Sequence, residues 1–416
     1  MDEIIDESFF TDELDSKKID MEVQKTGFEN AFNDKQVGSI TVAIEPISGR
    51  SGLDVALERF ESQSDLQAIP IEDDDRVIGI IERKIVEEST NSALKRFVSK
   101  TCADYATQSS FYLNCNDFIE KIAVQANNVA LKENIHYVIV RLNNRSYYGI
   151  VSIEAINKKI TELREDDLQK AENIQQNMLK VVTETKKLPF DVCIWNKMAN
   201  PVGGDFYVSQ ELCENKFLVG CFDVSGKNVS AALLTITLAS YFNMLKNSNK
   251  SFSSSSGLIA NLDAYLKDIV PVGNFITGCV CFIDRTNSKI ELYNCGHTNA
   301  YVFLKMETGN IKIASLKPTM PPFGIGAVSE NIKANKIESY KMPLKNGMQI
   351  DLYSDGLSDM QREDGTRYDD ENTKNFFKKV YINDVYSYEK YVEKEVSDWV
   401  GRAMLPDDIT VINIRF

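Results

Sequence analysis

One stretch constrains the chain more than any other: PVGGDFYVSQELCENKFLVGCFDVSGKNVSAALL, residues 201–234. Asp205 follows the pair Gly203 and Gly204, and Asp223 closes the apolar run 217–222. An apolar run of strand length that ends in Asp and turns through Ser225, Gly226 and Lys227 exposes its carboxylate at a sheet edge. The helical spacing of Ala231, Leu234, Leu238 and Phe242 follows. The two glycines before Asp205 let backbone approach closely. The pattern recurs near the C-terminus, where the run 348–353 turns at Ser354, Asp355 and Gly356, and Asp407 and Asp408 precede a final strand over 409–416. Asp205, Asp223, Asp355 and Asp407 are therefore candidate metal ligands. An all-oxygen set with no nearby His or Cys favours magnesium or manganese over zinc.

The 416 residues allow two domains and a linker. Acidic residues at the start, MDEIIDESFF, do not fit a secretory signal, and no apolar run reads as a bilayer span, so a cytoplasmic location and no membrane partner are expected. Eight scattered cysteines read as buried thiols. The net charge of -14 offers no surface for a phosphate backbone, which excludes nucleic acid as a partner. Half of that excess lies in residues 1–35, where eleven Asp and Glu face four Lys; this segment reads as an acidic disordered tail.

Residues 36–157 carry an internal repeat. The first copy has helical spacing at Leu53, Ala56, Leu57 and Phe60, a strand over 68–71, an acidic turn at 73–75 and a strand over 77–81. The second has Phe118, Ile122 and Ala126, then strands over 137–142 and 148–153 about a turn at 143–145. A helical linker over 158–188 follows. Its apolar seam (Ile153, Ile156, Ile160, Leu163, Ala171, Ile174, Met178, Val181) carries one stutter that puts Asp167 on the seam, which fits either packing on its own domain or a parallel dimeric coiled coil.

Five ordered motifs, VGGDFY (202–207), FDVSGKNVSAALL (222–234), NCGHTNAYVF (from Asn294), YSDGLSD (353–359) and DDIT (407–410), resemble the SpoIIE/RsbU branch of the PPM protein phosphatases. The resemblance covers roughly the second half of the chain and implies a PPM-type α-β-β-α sandwich over 189–416, so that the whole is an α+β protein. It further implies two divalent cations, manganese or magnesium, bridged by Asp223, with Asp205, Asp355, Asp407 and the carbonyl of Val224 completing the set. On that resemblance the cations would activate a shared water for in-line attack on a phosphoryl group. Val208, Asn228 and Asp359 depart from the family pattern, and no general acid is assigned. His297, after a strand-end glycine, reads as structural, as does His136.

The repeat over 36–157 is similar to a pair of CBS modules, α/β regulatory units that often bind adenine nucleotides. Glu82 with Ile85, and Ser152 with Ala155, depart from the ribose-gripping pattern, so an adenine nucleotide, another small ligand or a dimerisation role stay open. The resemblance as a whole implies a metal-dependent serine/threonine phosphatase acting on a phosphorylated STAS-type anti-sigma-factor antagonist and controlled by its N-terminal domain; a homodimer is expected from the seam of the linker. The alternative is a non-catalytic phosphoprotein-binding or dimeric scaffold. Asp408→Asn is expected to be milder than Asp407→Asn.

Overall fold

A computed structural model describes residues 32–90, 100–186, 188–227, 229–247, 254–334, 336, 338–383 and 387–416. Most of the acidic tail and Asn228 lie outside the described residues. The chain divides into two compact units between Asp167 and Leu168, inside the stretch read as a helical linker.

The N-terminal unit repeats one pattern twice. The first copy is β1 (Ile47–Ser48), α1 (Leu53–Ser62), β2 (Ala68–Asp73), β3 (Arg76–Glu82) and α2 (Arg83–Thr90). After the short α3 (Cys102–Tyr105), the second is β4 (Tyr112–Asn114), α4 (Ile119–Glu133), β5 (Tyr137–Arg141), β6 (Tyr147–Ser152) and the start of α5 (Ile153–Val181). In each copy a short strand pairs parallel with the next across a helix, and that strand turns back antiparallel. The acidic turn is a two-residue hairpin. Asp73 pairs with Arg76, and Asp74 and Asp75 both have positive φ (47° and 57°), the backbone that matches strand twist and that Asp tolerates. Ile80, Ile139 and Ile150 pack in one apolar cluster of this unit.

Helix α5 serves both units in turn. Ile156 and Ile160 are buried in the N-terminal core, whereas Leu179 and the following Val182 belong to a core of the C-terminal unit. In the second half the buried stripe is Gln175, Leu179 and Val182, so Ile174 and Val181 of the expected seam are exposed. The helix stops at Val181, short of 188, because the chain then bridges to a strand: Thr183 pairs in parallel with Ser209.

The C-terminal unit has four layers. One sheet, in the order β14-β11-β10-β9-β8, contains β8 (Asp205–Cys213), β9 (Lys216–Val224), β10 (Ile276–Asp284), β11 (Lys289–Cys295) and β14 (Tyr340–Pro343). The other, β13-β12-β15-β16-β7, contains β7 (Asp191–Lys197), β12 (Ala300–Lys305), β13 (Ile311–Leu316), β15 (Met348–Tyr353) and β16 (Ile409–Arg415). Their inner faces enclose Val219, Cys221, Cys279, Ile350 and Ile412. Helices α6 (Val229–Asn247) and α7 (Ser255–Lys267) cover the first sheet, and α10 (Asp369–Asn383) and α11 (Tyr388–Val400) the second. The short α8 (Ala327–Lys333) and α9 (Asp355–Asp359) complete the set. This is the α-β-β-α sandwich the sequence implied.

One expectation is corrected here. Helix α6, 19 residues long, is apolar enough by length and composition to cross a membrane. Its apolarity has another use: Leu234, Leu238 and Phe242 pack in the core that also holds Phe206 and Phe222. The Phe222 and Phe242 ring centroids lie 5.7 Å apart, and such contacts are worth about 0.5–1.5 kcal/mol beyond burial. Gly278 is required beneath this cluster, since a Cβ there would meet the Phe222 ring at 2.5 Å. The cysteines are free thiols, and Cys221, Cys279 and Cys281 are buried, as expected.

Candidate active site

The strand directions bring four chain segments to one end of the sandwich. Asp205 opens β8, Asp223 and Val224 close β9, Tyr353 of β15 leads through Ser354 into Asp355, and Asp407 and Asp408 lead into β16. In the β8–β9 ladder Asp205 is paired with Asp223 and Phe206 with Phe222. Alternation then turns the phenylalanines to the helix-covered face and both carboxylates to the face between the sheets. Two carboxylates directly opposite repel each other, so this ladder end needs compensation.

For Asp205 the compensation comes from the second sheet. The hydroxyls of Ser354 and Thr410 both donate to its Oδ2, at 2.7 and 2.6 Å, and the Ser354 hydroxyl accepts from the Thr410 N–H at 2.8 Å. Asp205 is nevertheless almost fully buried, and burial, reinforced by Asp223, holds its carboxyl well above the usual range. Asp223 is pushed up to about 7, first by burial and then by the charges of Asp355, Asp407 and Asp408. Asp355, at the first position of α9, is also raised, by burial and then by Asp359 and Asp407. The Asp355-Gly356 pair is thus the first turn of a helix rather than an open turn.

The neighbours Asp407 and Asp408 have different tasks. Asp408 is buried and uses both carboxylate oxygens on backbone, accepting from the Ala199 N–H at 2.8 Å and the Gly204 N–H at 2.7 Å. It fixes the loop that delivers Asp205. Asp407 is half exposed, with Lys227 Nζ 3.1 Å from its Oδ2. On the other side of the loop, Gln175 of α5 donates to the Gly203 carbonyl at 2.8 Å and to the Thr235 hydroxyl at 2.7 Å, and accepts from the Gly203 N–H at 3.2 Å. The roles of Ser354, Thr410, Asp408, Gln175 and Lys227 were not assigned from sequence, although all but Gln175 fall inside the quoted motifs.

The residues suit a hard divalent cation by donor chemistry. Asp223, Asp355 and Asp407 are carboxylates whose mutual repulsion a cation relieves, and Lys227 already supplies one positive charge among them. Gly204 keeps the approach open: a Cβ there would lie 2.9 Å from the Val224 carbonyl oxygen and 3.7 Å from Asp223 Oδ1. Among the described residues no group of three or more His, Cys, Asp or Glu side chains is gathered closely enough to hold a metal ion by itself.

His297 is buried and neutral: burial pulls it down to about 4, and its Nδ1 lies 2.8 Å from the Thr277 hydroxyl. Its backbone N–H donates to Asn294 Oδ1 at 3.0 Å, which fits the structural reading. Val208 is a fully buried core residue, and Asp359 is ion-paired with Arg367. His136 Nδ1 lies 3.0 Å from Glu82 Oε1, linking the two repeats of the N-terminal unit.

Comparison with known proteins decides the family. Residues 214–416 match the family model for stage II sporulation protein E (SpoIIE). The C-terminal unit carries a SpoIIE-family phosphatase domain. Asp223, Asp355 and Asp407 fall within the matched residues; Asp205 precedes them. The SiaA-PP2C domain of Pseudomonas aeruginosa superposes with a TM-score of 0.52 at 19% identity, covering 62% of this chain and 98% of that one, which shows the same fold. The RsbU and RsbW domains of Rv1364c from Mycobacterium tuberculosis give a TM-score of 0.43 at 18% identity over 54% of this chain and 59% of that one. The phosphatase domain with a regulatory-domain fragment of SpoIIE from Bacillus subtilis gives 0.43 at 19% identity over 55% and 64%. This chain thus spans less than two thirds of those two. No curated protein sequence matches it. The SpoIIE-family domain is that of a metal-dependent protein serine/threonine phosphatase.

Proposed function

We propose that this protein removes phosphate from a phosphoserine or phosphothreonine of a STAS-type anti-sigma-factor antagonist, in a cytoplasmic partner-switching pathway, under control of its N-terminal unit. The observation that carries the reading is the carboxylate rim of Asp223, Asp355 and Asp407 inside the SpoIIE-family match. Asp205, Asp223, Asp355, Asp407 and the Val224 carbonyl would hold manganese or magnesium. When bound, the cations activate water and stabilise the phosphoryl oxygens. Asp205 is held by Ser354 and Thr410 beside Asp223, and Asp408 anchors the Gly203-Gly204 loop, whose Gly204 carbonyl accepts from the Val224 N–H at 3.1 Å.

Control by the N-terminal unit is supported by α5. This single helix begins in one unit and carries Gln175, which grips the loop before Asp205, in the other. The exposed Ile174 and Val181, seven positions apart on α5, favour a homodimeric state, and the CBS-like repeat would take an adenine nucleotide or another small ligand. The test is release of phosphate from a phosphoserine STAS protein by the full chain with manganese, before and after chelation. Turnover that chelator abolishes and manganese restores is expected. No turnover at any manganese concentration would leave the scaffold alternative in its place.

A further inference from the structure

Lys227 stands in the turn between Asp223 and α6. Its ammonium is 3.1 Å from Asp407 Oδ2 and donates to the Pro406 carbonyl at 2.9 Å, so it clasps the segment that carries Asp407 from across the rim. It is also the cationic side chain that offsets the negative field at both Asp223 and Asp355. Asp408 is committed to backbone through both oxygens, whereas Asp407 gives Oδ1 to the Asp408 N–H at 3.0 Å and Oδ2 to Lys227, so Oδ2 is the oxygen a cation would take over.

We propose that Lys227 is the resident counter-ion of Asp407, held in a contact that an incoming divalent cation must break, and that it thereby sets how tightly the C-terminal unit binds metal. The proposal rests on Asp407 being a metal ligand, as in the function proposed above. Two effects act in the same direction. The ammonium occupies the carboxylate that the metal needs, and an ammonium that stays beside it repels a dication. Both partners are about half exposed, with side-chain accessibilities of 56% and 43%, so solvent screening limits the effect. Exposed pairs of this kind translate to affinity changes of about two- to fivefold and not to orders of magnitude.

The experiment titrates manganese into the full chain at fixed ionic strength, following heat by calorimetry and free Mn²⁺ by electron paramagnetic resonance. Wild type is compared with Lys227→Met, Lys227→Gln, Lys227→Arg, Asp407→Asn and the double variant Lys227→Met/Asp407→Asn. Loss of the charge in the Met and Gln variants is expected to tighten binding about two- to fivefold. The Arg variant should stay near wild type, and in the Asp407→Asn background Lys227→Met should change affinity by less than about twofold, because the clasped carboxylate is gone. Unchanged or weaker binding in both neutral variants would overturn the proposal, leaving Lys227 as a tie to the Pro406 carbonyl. Equal tightening with and without Asp407 would overturn it too, since the effect would then be a general field. If wild type itself binds no manganese, the metal reading fails and takes this inference with it.

Discussion

Asp408→Asn separates the two adjacent aspartates in a way their sequence does not. Both oxygens of Asp408 accept backbone N–H groups, from Ala199 and Gly204. An asparagine has a single acceptor oxygen, so one N–H loses its partner and faces an NH₂ group. Losing a hydrogen bond to a charged group costs about 1.5–3 kcal/mol, and stranding the buried N–H adds to it, so about 2–4 kcal/mol is expected. For a unit of this size, each kcal/mol moves Tm by about 2–4 °C, which predicts a fall of roughly 5–15 °C. Asp407→Asn removes only a half-exposed ion pair, worth about 1 kcal/mol or less, while it should abolish manganese-dependent turnover. Thermal melts of both variants in chelator at pH 8, with turnover measured in parallel, check the contrast. A melting temperature for Asp408→Asn within about 1 °C of wild type, or a larger loss for Asp407→Asn, would refute the assignment. The expectation that Asp408→Asn is the milder change concerns activity; for stability the hydrogen bonds predict the opposite order.

Three further outcomes follow from the same geometry. Thr410→Val keeps volume but removes the hydroxyl 2.6 Å from Asp205, so turnover should drop at least about tenfold for a stability loss of about 1–3 kcal/mol; turnover equal to wild type would show that Asp205 needs no such tether. Asp223→Asn should abolish turnover yet leave the metal-free protein at least as stable as wild type at pH 8, because a buried, repelled carboxylate becomes neutral; melts in chelator decide it. The Asp223 carboxyl is raised in the folded state to about 7, so the folded state holds the proton more tightly and stability in chelator should decline as pH rises from about 4 to 7. That slope should be shallower in Asp223→Asn, and an identical slope in denaturant titrations across this range would remove Asp223 as its source.

Local chemistry made much of the fold legible. The strand Met348–Tyr353 has the predicted bounds, and the core positions Ala231, Leu234, Leu238 and Phe242 were readable from their spacing, because period and turn residues are properties of neighbours along the chain. The acidic turn near 73–75 was readable for the same reason, although its two-residue length, with Asp73 paired to Arg76, was not. The candidate carboxylates could be named because each stands where an apolar run meets a turn, and strand ends are where a sheet presents side chains to ligands.

Sequence alone did not fix what each carboxylate does. Asp407 and Asp408 are adjacent and chemically identical, and only the packing of β16 against the loop before β8 gives one of them two backbone N–H groups and the other a lysine. Asp205 meets Thr410 across 205 positions of sequence and Ser354 across 149, separations over which no local pattern carries information. On α5 the heptad seam named Ile174 and Val181, yet the buried face passes through Gln175, Leu179 and Val182. A helix's apolar spacing records which faces could be buried; which face is buried depends on the surface it meets, and that surface is assembled from strands and loops far away in the chain.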